Sequence, residues 1–173
     1  MRAIETGRLT LVPQIAAHAD EMFAVLSDPA IYEYENRPPA SVERLRERFA
    51  KLESRRSPDE REQWLNWVIR VPSSGLIGYV QATVRENGSA AIAYELSSAY
   101  WGRGLARVAV EAMIGELARG YGVRRLTAVF KRANHRSLRL LERLGFSSAP
   151  PEASARAGVE PDEAMMQREL PEP

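Results

Sequence analysis

Between residues 64 and 96 the chain carries three runs rich in apolar, β-branched and aromatic side chains, separated by two tight turns. The runs are 64–71, 76–84 and 90–96, and the turns are Pro72-Ser73-Ser74-Gly75 and Asn87-Gly88. Connections this short join only antiparallel neighbours, because a parallel return needs a crossover of a dozen or more residues. A β-meander is therefore expected in the middle of the chain. Past it the apolar spacing changes. Val110, Met113, Ile114 and Leu117 follow the i, i+3, i+4, i+7 pattern of one helix face. A strand is expected at 126–130. A helix follows at 137–144, with Leu138, Leu141 and Leu144 inward and Gly145 as its stop. A last strand is expected at 164–170.

Upstream, 9–13 is a short β-like run that Pro13 ends, and 16–26 has helical spacing with Met22, Val25 and Leu26 near one face. Ser27-Asp28-Pro29 is a stop signal. Ser41 is the expected N-cap of a helix carrying Val42, Leu45, Phe49 and Leu52. Residues 55–63 and 147–161 read as loops, with Phe146 opening an extended segment between them. Helices, then a meander, then β-α-β-α-β make an α+β fold. Its sheet is expected to be mixed and mostly antiparallel, flanked by helices. No repeat and no linker interrupts the pattern, so 1–173 is expected to be a single domain.

Composition removes several chemistries. With no cysteine, thiolate nucleophiles, disulfides and zinc-thiolate sites are excluded. Two histidines, His18 and His135, cannot build a multi-histidine metal centre within one chain, and no metal is expected. A formal net charge of +1 does not argue for nucleic acid. The start lacks the apolar core of a signal peptide, and no apolar stretch approaches the roughly 20 residues that span a bilayer. A cytoplasmic protein without membrane contact is the expectation. The arginines and Lys131 crowded between 101 and 145 read mostly as solvated helix faces, with a few available to a polyanionic small ligand.

The junction between strand 90–96 and the next helix is Trp101-Gly102-Arg103-Gly104-Leu105-Ala106-Arg107. Glycine allows positive φ and lets a ligand approach the backbone. The first N–H groups of a helix lack internal partners, and its dipole favours an anion there. Such a turn can bind phosphate, although glycines also serve geometry alone. A dinucleotide fingerprint would need glycine where Arg107 stands, and an acid where Lys131-Arg132 ends the following strand. A P-loop would need Gly-Lys-Ser/Thr. Neither is present, which argues against a nucleotide-binding oxidoreductase.

On strand 90–96, Ile92, Tyr94 and Leu96 share the bulky face, and Ala91, Ala93 and Glu95 share the small one. A carboxylate between alanines is costly to bury unpaired, so Glu95 either lines a cleft or pairs with an arginine. Asn134 and Ser137 lie three apart, on nearly one face of the helix they open. Asn134 can equally act only as its cap. His135 reads as a surface or packing residue.

Four motifs now stand in order: Ala93-Tyr94-Glu95-Leu96, Tyr100-Trp101-Gly102-Arg103-Gly104-Leu105-Ala106, Asn134-His135-Arg136-Ser137 and Leu141-Glu142-Arg143-Leu144-Gly145-Phe146. Together they resemble the GNAT N-acetyltransferases, and in particular the branch that includes ribosomal-protein N-terminal acetyltransferases. The openings 5–11 and 26–29 are similar to that branch as well, so the resemblance covers most of the chain. It implies a parallel β-α-β pair at the donor site and acetyl-CoA as donor substrate. Gly102 would allow the diphosphate to approach the N–H groups of Arg103, Gly104, Leu105, Ala106 and Arg107. Leu96, with Ser97 and Glu95 as neighbours, would bind the pantetheine arm and polarise the thioester carbonyl. Asn134 and Ser137 would contact the donor arm, Ser137 would assist the leaving thiolate, and Glu95 would act as a base through water. Two positions depart from the family pattern. Trp101 stands where Gln or Arg is usual, and Leu141 stands where many members carry a tyrosine acid.

The implied reaction is direct transfer of an acetyl group to a primary amine, either a protein N-terminus or a small molecule. The alternative is a non-catalytic acyl-CoA-binding sensor or interaction module. Tyr34, Glu35 and Asn36, with Trp64 and Trp67 behind them, are the candidate acceptor wall. The acceptor, the acyl chain and the choice between monomer and homodimer stay open at this level.

Overall fold

The computed structural model describes residues 1–34 and 36–171. Among them the strands are β1 (Ile4–Glu5), β2 (Thr10–Pro13), β3 (Glu62–Val71), β4 (Gly75–Arg85), β5 (Ser89–Leu96), β6 (Arg125–Lys131), β7 (Ser147–Ser148) and β8 (Glu163–Glu169). The α-helices are α1 (Ala19–Leu26), α2 (Val42–Leu52), α3 (Leu105–Tyr121), α4 (His135–Arg143) and α5 (Pro151–Arg156). The strands form one sheet in the order β1-β2-β3-β4-β5-β6-β8-β7. Every neighbouring pair is antiparallel except β5 and β6. The expected α+β fold with a mixed, mostly antiparallel sheet is the observed one.

The meander forms because its turns are short and its strands can bury both faces. From Leu65 to Ile69 every residue of β3 is buried. Trp67 and Ile69 join the core cluster that holds Met113 and Leu117 of α3 and Leu141 of α4. Val68, between them, joins the cluster that holds Met22 of α1 and Leu45 and Phe49 of α2. Period-two alternation thus feeds two cores, one on each face of the sheet.

Ser41 caps α2 as expected, its hydroxyl accepting from the Arg44 N–H at 3.2 Å. Two expectations change, and one strand is new. The helix expected at 16–26 opens with a 3-10 turn over Ala16–His18, and its α-helical part begins at Ala19. The loop expected at 147–161 contains β7 and α5. Pro151 sits in the first turn of α5, where its missing N–H costs nothing and its fixed φ favours the helix, so the proline cluster starts an element as well as breaking one. Finally, β1 pairs with β2 over only two residues, too short to show in a periodicity.

One glycine matters to the site. Gly78 of β4 lies opposite Leu96 of β5. A Cβ at Gly78 would sit 2.1 Å from the Glu95 carbonyl oxygen and 2.8 Å from the Leu96 Cα. Both neighbours are backbone and cannot swing aside. β4 therefore approaches the end of β5 only because residue 78 has no side chain. Gly78→Ala should destabilise the fold by about 1–3 kcal/mol through this overpacking, read as a lower denaturation midpoint with an unchanged m-value. A midpoint equal to wild type would show that the strands separate without cost.

Candidate active site

The parallel ladder between β5 and β6 runs only over Ser89↔Arg125, Ala90↔Leu126 and Ala91↔Thr127. Both strands continue beyond it and part. The gap is a cleft of about 470 Å³, walled by Ile92 to Leu96 on one side and Ala128 to Phe130 on the other. Its remaining walls come from the start of α3, the start and outer face of α4, and Ala30, Ile31 and Tyr34.

Strand geometry decides what β5 offers to this cleft. The Ser97 N–H donates to the Ile77 carbonyl at 2.9 Å, on the β4 side. Along a strand, successive residues turn their backbone groups to opposite sides. Leu96 and Tyr94 therefore aim their N–H and C=O groups toward the parted strand β6. The Leu96 carbonyl accepts from Trp101 Nε1 at 2.9 Å.

The loop between β5 and α3 is shaped by two left-handed residues, Gly102 (φ 73°) and Gly104 (φ 72°). Gly104 is the N-cap of α3 and supplies no side-chain acceptor, and no acid lies in the first turn. The first N–H bonded within the helix belongs to Val108, which donates to the Gly104 carbonyl at 3.3 Å. The N–H groups of Leu105, Ala106 and Arg107 thus meet the cleft as an uncapped helix start. Its dipole and aligned donors suit an anion such as a diphosphate. Arg8 props the loop from behind, donating to the Arg103 carbonyl at 2.9 Å.

Trp101 ties this loop to the rest of the site. Its indole N–H holds Leu96, and the Arg136 guanidinium lies over its ring at 3.8 Å from the centroid. Arg136 in turn donates to Glu33 at 3.0 Å. This chain of contacts joins the N-terminal wall, the start of α4, the glycine loop and the end of β5.

Sequence-derived candidates gather unevenly. Glu95, Leu96, Gly102, Gly104, Leu105, Ala106, Arg107, Asn134, Ser137 and Tyr34 line the cleft. Arg107 also pairs with Glu111 at 3.5 Å, one turn along α3. Asn134 caps α4, its Oδ1 accepting from the Ser137 N–H at 3.1 Å. Arg103 stacks over Tyr100 at 5.3 Å, outside the cleft lining. Ser97 is turned away, its N–H bound to Ile77 and its hydroxyl 3.4 Å from Asp28. Asn36 is exposed and does not line the cleft, and Glu35 lies outside the described residues. Trp67 is fully buried and donates to the Arg2 carbonyl, while Trp64 donates to Glu62, so neither tryptophan joins an acceptor wall. Their positions on β3 put β4 and β5 between them and the cleft. Among the described residues no group of three or more His, Cys, Asp or Glu gathers to hold a metal.

Several contributors were not legible in the sequence. Tyr94, assigned above to the core face, also reaches the cleft, where burial pushes its hydroxyl up to about 12 and a side-chain hydrogen bond with Ser137 opposes that shift. Arg136, Arg139 and Arg143 line the α4 wall. Asp28 accepts from the Ser98 N–H at 2.7 Å and the Ala30 N–H at 3.0 Å, fastening the turn after β5 to the N-terminal wall. The Ser-Asp-Pro stop signal marked the end of a helix but gave Asp28 neither its cap role nor its distant partner.

The sequence matches the acetyltransferase (GNAT) domain model over residues 8–147. It is 28% identical over 149 residues to an uncharacterised N-acetyltransferase, p20, of Bacillus licheniformis, covering 84% of this chain and 83% of that one. Among solved structures, RimL, a ribosomal L7/L12 alpha-N-protein acetyltransferase in complex with coenzyme A, superposes with a TM-score of 0.81 at 18% identity, covering 97% of this chain and 98% of RimL. A ribosomal-protein-S5-alanine acetyltransferase from Vibrio fischeri superposes with a TM-score of 0.77 at 16% identity, covering 96% of each chain. At these identities the likeness is one of fold.

The Asp28 contacts carry a pH prediction. Hydrogen bonds from Ser98, with those from Ala30 and Ser97, hold its carboxyl below the usual carboxylate range despite partial burial. A depressed folded-state pKa stabilises above the unfolded value of about 4, and that stability is lost as pH falls through the folded value. Asp28→Ala should cost about 1–2 kcal/mol at neutral pH. The gap to wild type should close as the pH is lowered past the wild-type pKa. Denaturation midpoints of the two proteins between about pH 7 and pH 3 check this, and a constant gap would remove the carboxylate from the role.

Proposed function

The chain belongs to the GNAT acetyltransferase family and is an acetyl-CoA-dependent acyltransferase, and from that premise we propose that it moves the acetyl group directly onto a primary amine, on a protein N-terminus or a small molecule. The observation that carries this reading is the Leu96 N–H turned into the gap between β5 and β6, in the same cleft as the uncapped start of α3 and the start of α4. A thioester carbonyl directed at that N–H would have its developing negative charge met by a fixed donor in a partly water-excluded site.

Each step assigns a task to a residue of this chain. The diphosphate rests on the N–H groups of Leu105, Ala106 and Arg107, with Gly102 and Gly104 giving the backbone its shape. Arg103 contributes its backbone, and its side chain stays on Tyr100. Asn134 holds the first turn of α4, and so holds Ser137. The amine enters beside Tyr34, Ala30 and Ile31 and attacks the carbonyl carbon. A C–N bond forms, and the carbonyl electron pair moves onto oxygen, toward Leu96. On collapse the C–S bond breaks with its electron pair on sulfur, which takes a proton from the Ser137 hydroxyl as that hydroxyl takes one from cleft water, and the proton lost by the nitrogen makes good the water's. Glu95, partly buried on the cleft wall, takes the nitrogen's proton through water. Proximity supplies much of the acceleration, because both reactants share one cleft. No feature of the cleft favours the non-catalytic acyl-CoA-binding module.

Thiol release from acetyl-CoA against a panel of amines and peptides tests the reading, and turnover with at least one primary amine is expected. Donor binding with no acetylation across the panel would overturn it. Ser137→Ala should lower kcat about tenfold or more while leaving KM for acetyl-CoA nearly unchanged. Glu95→Gln should flatten the acid limb of the pH–rate profile. An enzyme with the wild-type rate and profile at both positions would leave neither residue a part in the chemistry.

A further inference from the structure

Arg103 stands between two left-handed glycines, Gly102 and Gly104. Glycine tolerates many backbone conformations, so the peptide unit joining Arg103 to Gly104 has little of its own to stop it flipping. Its orientation matters to an anion. In a trans peptide the C=O and the N–H point in opposite directions. With the Arg103 carbonyl turned inward, the loop would offer a diphosphate an oxygen. With that carbonyl turned outward, it offers the Gly104 N–H.

Arg8 selects the second arrangement. Its Nη2 donates to the Arg103 carbonyl at 2.9 Å. Arg8 lies outside the cleft lining, whereas Gly104 is part of it. Arg8 Nη1 is 3.6 Å from where a Cβ on Gly104 would sit, so the guanidinium spans both residues of the peptide. With the carbonyl drawn outward, the Gly104 N–H turns the other way, toward the side of the Leu105, Ala106 and Arg107 donors. That N–H makes no hydrogen bond among the described residues. A cation on the carbonyl also polarises the N–H at the other end of the same peptide.

Arg8 is itself held in place. Thr6 Oγ1 accepts from the N–H groups of Arg8 at 3.2 Å and Leu9 at 3.0 Å, and donates to the Leu9 carbonyl at 2.7 Å. Leu9 is buried in the core, so the guanidinium projects from a fixed turn. Its charge is not neutralised. Arg107 pairs with Glu111 and Arg136 with Glu33, but Arg8 enters no ion pair among the described residues.

We propose that Arg8 is a positioning residue for the donor's diphosphate. It holds the Arg103–Gly104 peptide so that the Gly104 N–H joins the donors of α3, and it places an unpaired positive charge beside them. The proposal rests on the reading that the start of α3 receives the diphosphate. A loop already set in its binding form spares the ligand the cost of ordering it.

The test measures binding of CoA, dephospho-CoA and pantetheine to wild type and Arg8→Met by calorimetry, with no acceptor present. Dephospho-CoA keeps the diphosphate and lacks the ribose phosphate, and pantetheine lacks both. Arg8→Met should weaken CoA and dephospho-CoA alike, by about five- to tenfold. Pantetheine should stay within about twofold of wild type, and the denaturation midpoint without ligand should be that of a folded protein. An equal loss for all three ligands would assign Arg8 to the fold alone. A loss confined to CoA would assign it to the ribose phosphate. Unchanged binding of CoA would show that the peptide holds its orientation without Arg8. Each of these results overturns the proposal. A wild-type protein that binds pantetheine as tightly as dephospho-CoA would overturn the diphosphate reading beneath it as well, and that result is visible without any variant.

Discussion

β5 and β6 bond to each other for three residue pairs and then run on without doing so, β5 to Leu96 and β6 to Lys131. Each is held on its far side by an antiparallel partner. β4 follows β5 as far as Gly78↔Leu96, and β8 follows β6 as far as Lys131↔Glu163. The two halves of the sheet are thus individually complete, and the seam between them opens at one end. Backbone groups along such a seam want partners, since an unpaired buried N–H or C=O costs about as much as a lost hydrogen bond. An extended ligand carrying amides can supply them, much as an added strand would. The other parts of the site depend on this seam. It gives Leu96 something to point at and opens the cleft that Tyr94 and the start of α4 both line.

Trp101 shows how a departure from a family pattern can be absorbed. The usual Gln or Arg at this position would offer a polar side chain. Here the indole caps the Leu96 carbonyl and carries Arg136 on its face. With that carbonyl occupied, the Leu96 N–H is the part of the residue left to a ligand. Trp101 thereby works on the strand, and the helix start of α3 is left to work by its backbone. Arg136 and Glu33 extend the same brace to the N-terminal wall, so that wall and the glycine loop share one set of contacts.

Elements with a strong local signal were legible before any coordinates. The meander followed from two short turns, α2 from its Ser41 cap and apolar spacing, and the glycine loop from where it fell between strand and helix. Short or compensated elements were not. α5 was hidden by prolines that both break and begin helices, and β1 by its length of two residues. Ser97 and Asn36 were drawn into the candidate site by nearness in sequence. Ser97 lies just past the end of β5, where its N–H is bound to Ile77 and its hydroxyl to Asp28, so nearness to Leu96 did not bring it into the cleft. Tyr94 failed in the reverse sense. Its alternation with Ile92 and Leu96 correctly predicted a core-facing ring, but alternation is silent on whether the next strand has moved aside.

The amino-acid order alone was sufficient for the fold class, for the absence of a protein thiol and for the glycine turn between β5 and α3. Those properties come from residue types and local spacing, which act over one turn or one strand. Tertiary structure decided which side of β5 is exposed, that Leu141 is core while Ser137 is not, that Tyr94 lines the cleft, and that Asp28 meets a partner far along the chain. These depend on where two strands part and on how α4 is rotated against the sheet. Both are outcomes of packing across the whole core, which no local pattern encodes.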